Sequence, residues 1–140
     1  MRNIQGRPNL SLTVQQWNAT PASDLVGVKA QTIADGSTAG APVNCDPQAN
    51  IHVSLEDTDA FELNAPSLAD EGTPYIVRTF KQLGTESVTV LAAAGDTIEG
   101  AAGVQLGAPG SFATVAPFQL PDKTFTWLVV GTGGTVVIIP

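Results

Sequence analysis

Apolar and polar residues alternate along much of this 140-residue chain, which is the pattern of β-strands with one buried face. The alternation is clean in residues 10–15 and 51–56, where every second residue is Leu, Val or Ile and the residues between are polar. We predict a strand in each segment, with the aliphatic side chains facing the core. The polar side chains, including His52, are then expected to face solvent.

From Tyr75 onward the chain consists of β-branched and aromatic runs that are separated by Gly, Pro and Asp. Such runs are the strongest strand signal in a single sequence. A tight reversal is predicted at Gly95–Gly100, and no long stretch has the apolar spacing and caps of a helix. With the earlier segments, this gives about eight strands. Those outside the two clean segments are predicted at residues 25–33, 75–80, 87–91, 111–115, 124–130 and 135–139, and residues 60–63 could pair back as a short strand.

Two segments have no apolar face to bury. Residues 1–9 are interpreted as an extended N-terminal arm, and residues 35–50 form a long loop of small residues and prolines. A loop of that length is usually functional, disordered or part of an interface, and we predict contact with a neighbouring subunit. The whole chain, residues 1–140, is expected to be a single all-β domain, either a jelly-roll-like sandwich or a related barrel.

The low charge content bears on how the surface of the protein is covered. Charged residues make up 14% of the chain, against roughly 25% in an ordinary soluble domain, and the net charge is −7. Polar uncharged side chains, or identical subunits, must therefore cover much of the surface. Residues 30–77 contain acidic residues and no Lys or Arg, so we expect no nucleic-acid partner there. No apolar run approaches the ~20 residues of a membrane span, so no membrane is expected.

Side chains that could carry chemistry do not form a known constellation. His52 is the single histidine, and nothing nearby in sequence would make it a metal ligand or a general base. Asp57-Thr58-Asp59 could offer oxygen ligands to Ca²⁺ but lacks the context of an EF-hand loop, so a solvated acidic turn is favoured. The run 131–135 lacks the Lys of a phosphate loop and is predicted to be a hairpin turn.

Nucleophiles are equally isolated in the sequence. Cys45 has no second cysteine for a disulfide, and its spacing from His52 matches no known thiol–imidazole signature. Ser37 and Ser111 lie near glycines without forming the Gly-x-Ser-x-Gly motif. We therefore predict that the protein is not an enzyme and has no catalytic residue, no cofactor and no metal ion.

The C-terminal strands are more informative. Phe125, Trp127 and Val129 share one face of a predicted strand, and residues 136–139 are apolar on both faces. A strand of that kind must be covered on both sides, by a second sheet or by another chain. We assign Phe125, Trp127, Val137 and Ile139 to the core or to a subunit interface.

Several of these runs together resemble a module of tailed-bacteriophage structural proteins. The module reads as a strand, a Gly-Asp-Thr-Ile-x-Gly turn, a short apolar strand, and a strand that ends near a Trp and a Gly-rich turn. The resemblance covers about residues 75–134. It departs from the module before Trp127, where Pro121-Asp-Lys-Thr-Phe-Thr replaces the usual Asp-Gly-x-x. The matching segments are 75–80, 87–90, 95–100, 112–115 and 127–130.

The resemblance implies a β-rich homotrimer, because the module occurs in capsid decoration (cement) proteins, head fibres and tail-fibre domains. We expect a virion protein that is made in the host cytoplasm and binds the major capsid protein on the outer capsid surface. Arg2 and Arg7 of the arm are the expected capsid contacts. A tail-fibre or baseplate component that binds host glycan is the first alternative, and a small hydrolase is a disfavoured second.

Overall fold

The computed structural model describes residues 29–37 and 41–140. These residues form eleven strands and no helix, which confirms an all-β protein for the described part of the chain. The strands are β1 (Ala30–Ile33), β2 (Val43–Asn44), β3 (Ile51–Ser54), β4 (Phe61–Asn64), β5 (Arg78–Gln82), β6 (Val88–Leu91), β7 (Asp96–Ile98), β8 (Gly103–Leu106), β9 (Phe112–Gln119), β10 (Phe125–Gly133) and β11 (Val136–Ile139).

Two sheets share one hydrophobic core. The six-stranded sheet has the order β1-β3-β5-β9-β10-β7, and the five-stranded sheet has the order β11-β8-β6-β4-β2. Phe80 and Trp127 from the first sheet and Leu63 and Leu106 from the second belong to the same cluster of buried side chains. Each sheet therefore presents one face to the core and one face outward.

The first six strands wind as a coil with two strands in each turn, because they alternate between the two sheets. Within each sheet, strands two apart in sequence are parallel neighbours, as in β1-β3-β5 and β2-β4-β6. The jelly-roll connectivity expected from the sequence differs from this winding, since a jelly roll is built from antiparallel neighbours. Antiparallel pairing appears with β8, β9 and β11. Apolar alternation is the same in both kinds of ladder and could not distinguish them.

The loops of the coil lie at its two ends. At one end the backbone N–H of Gly36 donates to Glu56 Oε1 (2.8 Å), and that of Thr85 donates to Asp57 Oδ1 (2.7 Å). These hydrogen bonds join the loops that follow β1, β3 and β5. The loops after β2 and β4 meet at the opposite end, around the side chain of Arg78.

Several predicted boundaries change. The strand predicted at 75–80 begins at Arg78, and residues 43–44 of the predicted loop 35–50 are β2. The predicted reversal contains a short strand, β7, followed by a two-residue turn from Ile98 to Ala101. Both central residues of that turn have positive φ, 51° at Glu99 and 74° at Gly100, as a type I′ turn requires.

Two further expectations were wrong. The hairpin predicted at 131–135 does not form, because β10 lies in the six-stranded sheet and β11 in the other. Gly134, with φ of 75°, helps to carry the chain between the sheets. The estimate of eight strands was too low, since two- to four-residue strands such as β2 and β7 lack long β-branched runs. The arm 1–9, the strand 10–15 and residues 25–28 lie outside the described residues.

Candidate association surface

The inward face of β3 is its polar face. His52 is 1% exposed and Glu56 is fully buried, whereas Leu55 is 39% exposed. The predicted surface histidine is therefore wrong, although the strand itself is correctly placed. Alternation fixes which residues share a face, but the choice of the inward face depends on what the other strands place opposite it.

His52 is held in one neutral form. Its Nδ1 lies 2.7 Å from Oε1 of Gln31, and because an amide oxygen can only accept, Nδ1 carries the proton. The ring stacks on Phe80 with centroids 5.2 Å apart. Burial, together with the charge of Arg78, lowers the pKa of His52 to about 4. The imidazole is thus uncharged at neutral pH.

Arg78 is the most unusual residue of the core, because its guanidinium group is fully buried. It donates to the carbonyl oxygens of Ala49 (2.6 Å), Pro47 (2.8 Å) and Pro74 (3.2 Å), and it lies 5.6 Å from the ring centroid of Trp127. Burial lowers the pKa of Arg78. The side chain ties together the loops after β2 and β4, which is a structural role. Its alternation with Phe80 was the sequence signal that Arg78 faces inward.

The thiol–imidazole pair has the wrong electrostatics for nucleophilic catalysis. Burial raises the pKa of Cys45 to about 12, so the thiol stays protonated, whereas a reactive cysteine needs a lowered pKa. His52, with a pKa near 4, offers no imidazolium to stabilise a thiolate. Ser111 is buried, and its Oγ accepts from the N–H of Thr135 (2.9 Å).

The acidic loop has no metal-binding geometry in the described part of the chain. Asp57 and Asp59 are exposed, and one carboxylate oxygen of Asp57 is occupied by the N–H of Thr85. Across residues 29–37 and 41–140, no three His, Cys, Asp or Glu side chains group in a way that could hold a metal ion.

The residues assigned to a core or interface separate into two classes. Trp127 is fully buried within one chain, and Phe125 is partly buried against the core. Val137 is 53% exposed, and Ile139 is partly buried. The expected capsid contacts, Arg2 and Arg7, lie outside the described residues.

The outward face of the six-stranded sheet, here called the threonine face, is poor in charge. Thr79 and Thr114 lie on it with their hydroxyl oxygens 3.0 Å apart. Lys81 is the one charged side chain that the described strands contribute to this face, and it lies 5.1 Å from the ring centroid of Phe112. By the strand registers, the remaining side chains of this face are Ala30, Thr32, Ile51, Val53, Thr97, Ala116, Phe118, Thr126 and Leu128.

The outward face of the five-stranded sheet is more polar than the threonine face. Asn64 donates to Asn44 (3.0 Å), and Gln105 donates to Thr89 (3.3 Å), so amide and hydroxyl groups of neighbouring strands pair across it. Glu62 is exposed between them. A solvated surface is expected to look like this, and the contrast marks the threonine face as the less hydrophilic of the two.

A second surface, here called the open edge, is apolar and consists of residues 128–133 of β10 together with β11. Since β7 pairs only with Phe125–Trp127 of β10, the later part of β10 is the outermost described strand of its sheet. β11 is outermost in the other sheet. The exposed apolar side chains are Val130 (60%), Val137 (53%), Ile138 (41%) and Leu128 (36%).

Ile138 shows that the core is incompletely covered at the open edge. It is paired in register with Val104, which is fully buried, so Ile138 belongs to the inward-facing row of its sheet. A residue in that row would be buried if the described chain closed the sandwich on this side. The side chain of Glu99 partly protects the edge, because its Oε2 accepts from the N–H of Val129 (3.0 Å).

A shallow groove lies where the threonine face meets the edge of the sheet. Its volume is about 290 Å³, at the lower limit of small-molecule sites. Hydroxyl, carboxylate and aliphatic groups line it, from Thr97, Glu99, Gly100, Leu120, Thr126 and Leu128.

Comparisons of this chain with family models, curated proteins and solved structures gave no match. In the described part of the chain there is no helix with the length and hydrophobicity to cross a membrane. The features that bear on function are therefore the charge-poor threonine face, the apolar open edge and the resemblance of residues 75–134.

Proposed function

We propose that this protein is a structural subunit of a tailed-bacteriophage virion, which binds the outer surface of the capsid as a homotrimer and stabilises it. The observation that carries the proposal is the open edge, where four apolar side chains remain exposed on the outermost strands of both sheets. The assignment to a capsid is supported by the module resemblance of residues 75–134.

Exposed apolar strands of this kind favour association. Natural proteins protect the outer strands of sheets with charges, bulges or short lengths, because an unprotected edge pairs with other chains. β11 has four apolar residues and no charge. Burying apolar surface contributes about 25 cal/mol per Å², so contact with another copy stabilises both chains.

Trimerisation would also serve capsid binding. Three copies around one axis present three identical binding sites to the shell. Because the three sites are linked, their effective concentration is high, and weak individual contacts give strong retention. The described residues carry an excess of exposed carboxylates, so the shell surface that meets them should be neutral or basic. If the arm makes the contact instead, Arg2 and Arg7 would favour an acidic shell surface.

Binding to heads tests the function directly. Purified protein should co-sediment with expanded phage heads that lack it, saturate in a fixed ratio to the major capsid protein, and slow the release of DNA on heating. A matched mixture with tails should show no binding. Failure to bind heads, or location in the tail alone, would reject the decoration function.

A tail-fibre or baseplate component that binds host glycan is the second candidate, and the groove favours it. The Glu99 carboxylate and the hydroxyl of Thr97 could accept hydrogen bonds from sugar hydroxyls, beside the aliphatic side chain of Leu128. Binding to a host glycan that is lost in Glu99→Gln, together with location in the tail, would favour this candidate over the first.

A further inference from the structure

We infer that the copies of this protein pack around an axis that runs along β10, with the open edge of one copy against the threonine face of the next. The inference rests on the proposed homotrimer and assigns the surfaces that form it. Val130, which is 60% exposed near the middle of the open edge, then lies close to the axis.

The position of β10 makes this arrangement possible. From Leu128 onward, β10 belongs to both surfaces, because Leu128, Gly131 and Gly133 are paired with outward residues of β9 and the free side of the strand is part of the open edge. A cyclic trimer needs two different patches on each subunit, since one patch that contacts itself gives a two-fold dimer. When the two patches of each copy lie side by side along one strand, repeating the contact from copy to copy closes a ring whose axis runs along that strand.

Charge favours the same pair of surfaces. β11 and residues 128–133 contain no charged residue, and the described strands place a single charge, Lys81, on the threonine face. At the border of the two surfaces, the carboxylate of Glu99 accepts a hydrogen bond from the backbone N–H of Val129. Elsewhere the described surface exposes carboxylates such as those of Asp57, Asp59 and Glu62. In a chain of net charge −7, contact through other surfaces would bring like charges together.

The dimensions of the strands give the approximate size of each contact. Six residues of strand extend about 20 Å, and two stacked sheets with their side chains are about 20 Å deep, which gives about 400 Å² for one contact. Each copy makes two such contacts in a ring and so buries about 800 Å². Each pairwise contact is therefore about half the size of a standard protein interface, so the ring depends on its three contacts acting together.

The variant Val130→Asp tests the axis, because it would place one carboxylate from each copy close together. We expect its mass in solution, measured by light scattering, to fall from that of a trimer to that of one chain. Asn44→Asp is the matched control. It adds the same charge on the outward face of the five-stranded sheet, at the edge farthest from β11, and should remain a trimer. Circular dichroism should show both variants folded.

A chemical crosslink gives an independent readout. Cys45 is the single native cysteine and is buried, so a cysteine introduced at position 130 is the thiol that a short bismaleimide can reach. Val130→Cys should give crosslinked dimers, and Asn44→Cys should not. A trimeric Val130→Asp, or equal crosslinking at both positions, would overturn the axis while leaving the homotrimer in place. A wild-type protein that is monomeric would overturn the homotrimer itself.

Discussion

Arg78 shows how backbone carbonyl groups can hold a buried guanidinium group. Its guanidinium group donates to three backbone carbonyl oxygens, which belong to loops that follow β2 and β4. Replacing it would leave those oxygens buried and without donors, which is more costly than losing the hydrogen bonds alone. The residue therefore holds the two loops at one end of the coil together.

We predict that Arg78→Met lowers the free energy of unfolding by about 3 kcal/mol, as expected when one member of a buried polar network is removed. Lys81→Met is the control on the same strand. Lys81 lies on the outward face, where its Nζ donates one exposed hydrogen bond to the Gly110 carbonyl oxygen, and the variant should cost about 1 kcal/mol or less. Urea unfolding at a fixed protein concentration measures both. Equal losses for the two variants would show that Arg78 has no special structural role.

His52 predicts a specific dependence of stability on pH. Its pKa is about 4 in the folded protein and 6.5 without the fold, so the unfolded chain binds more protons between these values. The free energy of unfolding should therefore fall as the pH is lowered from 6.5 to 4. The full loss below pH 4 is about 3 kcal/mol.

The His52 contribution can be separated from that of other groups with the variant His52→Gln, which cannot titrate. Guanidinium unfolding at pH 7 and at pH 4 should show that the wild-type protein loses more stability than the variant. Identical losses would mean that His52 is charged in the folded state or accessible to solvent.

At the scale of single elements, the loops after β1, β3 and β5 stack closely at one end of the coil. Gly84 lies against the backbone of Glu56, and a Cβ atom there would overlap the Glu56 carbonyl group. The neighbouring N–H of Glu86 donates to that same carbonyl oxygen (3.0 Å). A side chain at position 84 must therefore separate the two loops.

Gly84→Ala should accordingly lower the free energy of unfolding by about 2 kcal/mol, within the 1–3 kcal/mol range of overpacked sites. Gly72→Ala is the control, since a Cβ atom at position 72 would meet its nearest neighbour at an ordinary contact distance of 3.4 Å. Thermal unfolding of the two variants would compare them. Gly84→Ala with wild-type stability would contradict the close approach of the loops.

The strands show what a single sequence can and cannot establish. The cores of β3, β6 and β10 lie where long alternating or β-branched runs predicted them. β2 and β7 are two and three residues long and were not predicted, because so few residues carry no period. The inward face of β3 was assigned wrongly, since it depends on Gln31 and other partners far away in sequence.

The same limit applies to the association surface. The apolar residues on both faces of β11 were visible in the sequence, and they indicated that another layer or another chain must cover the strand. After Trp127, β10 is an outer strand of its sheet, because its pairing with β7 is short. The low number of charged side chains that the described strands place on the threonine face follows from six strands coming together. Neither property is local in sequence.

At the scale of the whole molecule, the distribution of charge and apolar surface is uneven. The described loops and the five-stranded sheet carry exposed carboxylates, whereas the threonine face and the open edge are adjacent and nearly uncharged. A soluble monomer usually spreads its apolar side chains singly over the surface. Four of the nine large hydrophobic side chains that are exposed in the described chain lie together on β10 and β11, and this cluster is the main structural argument for assembly.

The mass of the wild-type protein in solution tests this account most directly. Light scattering coupled to size-exclusion chromatography, at micromolar concentration and in moderate salt, should give three times the 14.4 kDa of one chain. Raising the salt concentration should leave the mass unchanged, because the surfaces that meet carry almost no charge. A single species of 14.4 kDa at that concentration would contradict the proposed self-association.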